Sequence, residues 1–352
     1  MNYLASHREA LRSFGYTEEE ARFLYFVATH SGYFTCQQFL HSIETKSGKR
    51  GVAFAQKVLE NKHATAKKYL QHGRVFHLFS SNLYAAIGRE NNRFRSVHST
   101  EYIRTRLIAL DFVLANQNLT YLETEQQKLT FFCDQMGINK KILPRKRYSG
   151  AIKGDFTERY FVDKFPMFYD QSLSSSPVVT FSFVDPGLQS MESFKTHLHT
   201  YLTLFTKLAQ LRFYYIATRD SNFERAKKLF QELFQRLWDP HAPSGLLQYF
   251  RTRRFWEERQ FAKLSNGDIE FLSEAQERFR GPGIEEIYEK WRTGEITENA
   301  ARSESAKCGR PSQVAIIFAT VNGQAALFER HPHQPISAPV ASFEETAFSI
   351  VV

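Results

Sequence analysis

The chain has 352 residues, 42% of them hydrophobic and 15% aromatic, which is enough for two domains with real cores and too apolar for wholesale disorder. Lys and Arg number 46 against 37 Asp and Glu, a formal charge of +9, which favours an anionic partner without naming it. The first ten residues lack the apolar core of a signal peptide and no window approaches about 18 uninterrupted apolar residues, so the expectation is a cytoplasmic protein that makes no use of a membrane.

Thr17 followed three residues later by Glu20 is a capping-box spacing, and Phe23, Leu24 and Val27 recur at helical spacing up to Ser31-Gly32, which predicts a helix with a glycine stop. Thr35 with Gln38 repeats the signal for a second, short helix carrying Phe39, Leu40 and Ile43 inward. After a polar turn from Glu44 to Gly48, a third helix is predicted from Lys49 to Asn61. Val52, Ala55, Val58 and Leu59 lie on its inner face, with Arg50, Gln56 and Lys57 off it. Ala64 to Tyr69 and Arg74 to Phe79 flank Gln71-His72-Gly73 and predict a hairpin in which Gly73 supplies a positive φ. Three short helices and then a hairpin is the order of a winged helix, whose third helix enters the major groove while the hairpin meets the adjacent backbone.

A longer helix follows from Ser99 to Asn116, with Ile103, Leu107, Leu110, Val113 and Leu114 inward, and closes the first domain. Glu125 to Met136 predicts another helix, ended by Gly137, and Asn139 to Lys153 reads as a basic linker or an exposed strand. Strands are expected over Tyr160 to Phe168 and Val178 to Val184, a helix over Ser190 to Gln210, a strand over Arg212 to Thr218 and a helix over Asn222 to Leu237. Strand, helix, strand, helix is α/β grammar. Asp239-Pro240-His241-Ala242-Pro243 is a break. Helices are then expected from Leu246 to Leu264 and, acidic and introduced by Gly281-Pro282-Gly283, from Ile284 to Ser303. Val314 to Phe318 and Ala325 to Phe328 flank Asn322-Gly323 as a hairpin, and the prolines 332, 335 and 339 mark a loose tail. These elements divide the chain into residues 1–118, 119–240, a helical extension 241–305 and a tail 306–352.

The excess charge is concentrated. Lys46, Lys49, Arg50, Lys57, Lys62, Lys67, Lys68 and Arg74 stand against Glu60 alone between residues 46 and 74, an excess of seven that equals the whole excess of residues 1–100. Clustering of this kind suits phosphate neutralisation, because each cation that meets a phosphate releases condensed counterions. In this reading Arg50, Gln56 and Lys57 face the major groove, where Arg suits guanine and Gln suits adenine, and Lys67, Lys68 and Arg74 meet phosphates. Lys140, Lys141, Arg145, Lys146 and Arg147, in a stretch without an acidic residue, extend the phosphate track.

From Arg22 to Gly88, the helical RFLYFVATHSGYFTCQQFL, the basic third helix and the hairpin ending HGRVFHLFSSNLYAAIG resemble the winged-helix half of the replication-relaxation proteins of plasmids and other mobile elements. VVTFSFVDPG, SMESFKTHLHTY and LRFYYIATRD are similar to that family's second half. The resemblance implies binding of double-stranded DNA in control of replication, mobilisation or transcription. It also implies an α/β half of the restriction-endonuclease-like fold. In that half Phe183 stands where a first acidic residue is expected, and His197 where a helix Lys would precede Tyr201.

The endonuclease likeness raises metal-dependent DNA cleavage as an alternative, with Asp155, Asp163 and Asp185 as candidate Mg²⁺ ligands at strand ends. Asp185 is followed by Pro186 and Gly187, and Asp163 has Lys164 adjacent rather than two residues on, where adjacent strand residues point to opposite faces. His197 and His199 do not share a helix face, so a metal site with His241 is not read. Cys36, Cys133 and Cys308 form no C-x-x-C pair, which excludes a zinc ribbon or a disulfide framework and fits a reducing compartment. The expectation is therefore an α+β protein that binds DNA, as a homodimer, without a cofactor and without assigned catalytic residues. A protein-interaction adaptor built on a winged helix is the other alternative.

Overall fold

The computed structural model describes residues 5–70, 73–149, 156–163, 165–170, 177–187, 190–238, 243–279, 282–307, 313–321, 327–328 and 342–348. Helix α1 (Ala5–Arg12) precedes α2 (Glu18–His30). At the start of α2 the Thr17 hydroxyl accepts from the Glu20 N–H at 3.3 Å while the Glu20 carboxylate accepts from the Thr17 N–H at 2.8 Å, so two otherwise orphaned donors are satisfied reciprocally. The helix ends at Gly32, which has φ +78° and where a side chain would run into Phe94. There follow β1 (Tyr33–Phe34), α3 (Cys36–Ser42) with a second capping box from Thr35 and Gln38, α4 (Gly48–Glu60), β2 (Ala64–Lys68), β3 (Arg74–Leu78) and α5 (Ser81–Ala86). The three strands form an antiparallel sheet in the order β1-β3-β2.

Two local expectations are corrected here. The inner face of α4 is Gly51, Phe54, Ala55 and Val58, and Val52, expected inside, is 65% exposed. Phe54 sets the rotation by stacking on Phe39 at 4.0 Å between ring centres, and Gly51 lets Leu40 of α3 close on the helix. Gly73 does not take a positive φ; a side chain there would collide with Leu327, so close approach is what it provides. Gln71 and His72 of the expected turn lie outside the described residues.

Helix α6 (Thr100–Ala115) leads to β4 (Thr120–Tyr121), α7 (Glu125–Leu129) and a π-helical turn over 130–135. Next come β5 (Arg145–Ser149), β6 (Phe156–Tyr160), β7 (Phe168–Asp170), β8 (Val178–Asp185), α8 (Met191–Phe205), β9 (Gln210–Ala217) and α9 (Phe223–Trp238). Helices α10 (Pro243–Glu257), α11 (Asn266–Arg278), α12 (Pro282–Arg292) and α13 (Glu298–Lys307) precede β10 (Gln313–Thr320) and β11 (Ser342–Phe348). A six-stranded sheet runs β11-β10-β9-β8-β7-β4, with β8, β9 and β10 parallel and the flanking pairs antiparallel. The protein is thus mixed α+β with mixed sheets.

Alternation along the sheet decides what packs where. Phe181 and Phe183 of β8, Phe213 and Tyr215 of β9, and Ile316 and Phe318 of β10 pack with α8 and α9. Val184, Ile216 and Ala319 face the other way, into a core shared with α2, α4 and α6. Helices α10 to α13 enclose a smaller core of their own around Phe250, Phe279 and Tyr288.

Several element boundaries differ from the sequence reading. The expected strand Tyr160 to Phe168 is strand only at its two ends: β6 stops at Tyr160, Phe161 takes φ +50°, and β7 starts at Phe168. The helix expected to run to Leu264 ends at Glu257, and α11 was not anticipated. The acidic helix is two, divided near Gly294 at φ +79°. The partner of β10 is β11 rather than the segment up to Phe328, so the tail contributes an edge strand. Asn322 and Gly323 lie outside the described residues.

His30 at the end of α2 is 7% exposed and packs edge-on against Tyr121 at 5.0 Å. Burial, with the nearby charges of Arg89, Lys128 and Arg106, lowers its pKa from 6.5 to about 3, so its Nε2, 4.0 Å from Glu123 Oε1, is neutral and makes no ion pair. The unfolded chain binds a proton near pH 6.5 that the folded chain refuses until about 3. The contribution is therefore whole above pH 6.5 and is lost as pH falls towards 3, by up to roughly 1.4 kcal/mol per unit. Urea unfolding at pH 7.5 and 5.5 checks this: His30→Gln is expected to show a smaller acid loss than the wild type, and an equal loss would refute the assignment.

Candidate nucleic-acid interface

The sequence-predicted basic residues fall into two surface groups and differ in how free they are. Lys46 lies in the turn before α4, Lys49 in its first turn and Lys62 in the turn after it, where φ is +55°. Lys67 and Lys68 are exposed on β2 and Arg74 on β3. None of these six forms an ion pair among the described residues. Lys68 stands directly opposite Arg74 in the hairpin register, a like-charge pairing that costs stability in the isolated protein. Lys67 lies over the Tyr69 ring at 5.4 Å.

Arg50 and Lys57, read as groove-facing, are instead engaged by α2. Arg50 pairs with Glu19, and Lys57 Nζ donates to Glu20 Oε2 at 2.7 Å and lies half-buried. Gln56 is exposed and donates to Glu60 Oε1 at 2.7 Å, one helical turn on. The outward face of α4 is therefore Lys49, Val52, Ala53 and Gln56, with Arg50 beside it. Val52 was missed because an apolar residue in a helical pattern is read as core, and Ala53 was not assigned to either face.

The second group sits on the β5–β6 ribbon, antiparallel and paired from Arg145–Tyr160 to Ser149–Phe156. The segment is thus the exposed strand rather than a linker, with Lys140 and Lys141 in a 3₁₀ turn before it. Arg145 and Arg147 share one carboxylate, Glu158, at 3.3 and 3.1 Å, and their hydrogen bonds and charge hold its carboxyl below the usual range. Lys140, Lys141 and Lys146 have no ion pair among the described residues. Cations and aromatics interleave on this ribbon: Lys140 over Tyr160 at 4.9 Å, Lys146 over Tyr148 at 5.7 Å and Arg147 over Phe156 at 5.4 Å. Phe156 is 53% exposed. Arg93, from the loop after α5, lies over Tyr148 at 5.1 Å and so links the ribbon to the N-terminal unit.

The two described acidic candidates, Asp163 and Asp185, are each held by their own hydrogen-bond donors. Asp185, 1% exposed, accepts from the Tyr215 hydroxyl at 2.7 Å, from Asn222 Nδ2 at 3.0 Å and from the Gly187 N–H at 2.7 Å, which makes it the organiser of a turn. Asp163 accepts from the Tyr201 hydroxyl at 2.5 Å and lies 3.2 Å from His197 Nδ1. Burial raises its carboxyl, but the bond and charge of His197, with Lys128 and Tyr201, bring it below the usual value. His199 is exposed, while Asp155, His241 and Cys308 lie outside the described residues. Among the described residues no three His, Cys, Asp or Glu side chains converge as a metal site, and no helix is long and apolar enough to cross a membrane.

Comparison with protein-family models, with curated proteins and with solved structures finds no match to this chain.

The Arg50–Glu19 pair is half exposed at both partners, so Arg50→Ala is expected to lower unfolding stability by less than about 1 kcal/mol. Chemical denaturation checks this, and a loss of several kcal/mol would make Arg50 structural rather than a surface cation.

Proposed function

We propose that the protein binds double-stranded DNA through a winged helix, with α4 as recognition helix and the β2–β3 hairpin as wing. In this reading it acts in the control of replication, mobilisation or transcription of a plasmid or other mobile element. The observation that carries the reading is the coincidence of topology and charge. The order α2, β1, α3, α4, β2, β3 with strands arranged β1-β3-β2 fits a winged helix. The six unpaired cations lie on, or flank, α4 and the hairpin, the two elements that such a fold presents to DNA. The opposed Lys68 and Arg74 are repulsive alone and become favourable against a phosphate backbone.

Gln56 suits adenine, and Val52 and Ala53 suit the thymine methyl, so α4 offers an A·T-reading face flanked by Lys49 and Arg50. The mixed sheet with α8 crossing between parallel β8 and β9 supports a restriction-endonuclease-like scaffold for the second half. With Asp185 occupied by Tyr215, Asn222 and the Gly187 N–H, its carboxylate serves that scaffold's turn. The ribbon lengthens the phosphate track, and a homodimer would place two copies on a two-fold site.

Gel-shift titrations test the assignment. Lys67→Ala with Lys68→Ala is expected to weaken binding to every duplex and to flatten the salt slope by roughly 0.9 per lost phosphate contact. Gln56→Ala is expected to change sequence preference at nearly constant salt slope. Unchanged affinity and slope in the double variant at low salt would remove the hairpin from the interface.

A further inference from the structure

A cavity of about 450 Å³ lies at the seam between the N-terminal unit and the six-stranded sheet, within the size range of small-ligand sites. Its walls come from both sides of the seam: Thr29 and His30 at the end of α2, Arg89 to Phe94 from the loop after α5, Leu122 to Gln126 with Lys128, and Arg159 to Asp163 with Phe165 to Met167. It is separate from the basic surface of α4 and the hairpin.

The wall carries buried polar groups that the protein leaves unsatisfied. Thr29 Oγ1, His30 Nε2 and Arg89 Nε have no hydrogen-bond partner. Lys128, a residue only 6% exposed, makes no hydrogen bond and no close ion pair among the described residues; its ammonium lies over the face of Phe161, at 5.5 Å, with the charges of Asp163 and Glu125 acting on it from farther off. An ammonium held at a largely buried position with no direct partner is costly, so it calls for an explanation.

The carboxylates on the same wall attract it from a distance but are bound directly to other donors. Glu123 accepts from Arg89 Nη2 at 2.6 Å and from the Tyr25 hydroxyl at 2.7 Å. Glu125 accepts from Arg159 Nε at 2.8 Å and from the Tyr160 N–H at 2.9 Å. Asp163 is held by Tyr201 and His197. With three of the acids engaged, the donors left for a ligand are Lys128, Arg89 Nε and the Thr29 hydroxyl, beside the apolar surface of Phe94, Phe161 and Phe165.

We infer that this cavity binds a small phosphate-bearing molecule. Lys128 and Arg89 Nε donate to the phosphate oxygens, Thr29 supplies a further hydroxyl, and the aromatic side accepts whatever organic group the phosphate carries. An oxyanion there gives Lys128 the direct partner it lacks without displacing a close ion pair. The inference does not depend on the DNA-binding reading.

The test uses the full chain and two probes, inorganic phosphate and adenosine 5′-monophosphate, in calorimetry and thermal unfolding. Saturable binding of at least one probe is expected, with a rise in Tm. Tighter binding of the nucleotide would identify an esterified phosphate as the ligand, and equal binding a free oxyanion. Lys128→Met is expected to raise the Tm of the protein alone, because it removes an unpaired buried charge, and to weaken probe binding by at least about tenfold. Thr29→Val, close to isosteric, keeps the fold and is expected to weaken binding several-fold. The inference is overturned if neither probe binds at about 10 mM, or if both bind Lys128→Met and Thr29→Val as tightly as the wild type.

Discussion

Helix α6 has no solvent face. From Ile103 to Leu114 only Asp111 along its length escapes burial, and apolar side chains occur all round the helix rather than in a stripe, as in a helix packed on every side. Ile103 and Leu107 pack with Tyr33 and Val75 of the small sheet. Phe112 meets Phe168 and Tyr214 of the large one, at 6.2 and 5.3 Å between ring centres. Even its charged residues are drawn in, with the Arg106 guanidinium over the rings of Phe94, Tyr102 and Phe165. One apolar core therefore runs from α2 through α6 into β8, β9 and β10.

That shared core fixes the surface. The hairpin and α4 are carried by α2 and α6, and α6 is seated on the six-stranded sheet, so one core joins the basic hairpin to β8, β9 and β10. Arg93 over Tyr148 links the β5–β6 ribbon to the N-terminal unit at the surface. The same seam encloses the cavity around Lys128, whose walls are drawn from both sides.

What was legible in the sequence was local. Thr17 with Glu20 and Thr35 with Gln38 announce their helices because a capping box is a contact between residues three apart. The strand Val178 to Asp185 shows itself as an unbroken β-branched and aromatic run because both its faces are buried. The inner face of α4 was read correctly at Ala55 and Val58 but not at Val52, since its first inner position is Gly51, which has no side chain to register in a hydrophobic pattern. Arg50 and Lys57 were read as free cations because the glutamates that hold them lie some thirty or more residues away in sequence. Asp185 stood only as a candidate metal ligand, and the donors that hold it, Tyr215 and Asn222, lie some thirty or more residues on, where no local pattern shows them. The edge strand β11 follows a proline-bearing stretch and is defined by its pairing with β10, which no local pattern encodes. The cavity around Lys128 joins four distant segments and has no sequence signature.

Hydrogen exchange read by mass spectrometry, with and without a generic DNA duplex at low salt, tests the central claim most directly. Bound DNA is expected to slow exchange in α4 and in the β2–β3 hairpin, with weaker protection of β5 and β6, while α10 to α13 exchange as before. Protection confined to the helical extension, or none anywhere despite a saturating duplex, would contradict the placement of the DNA on the winged-helix face.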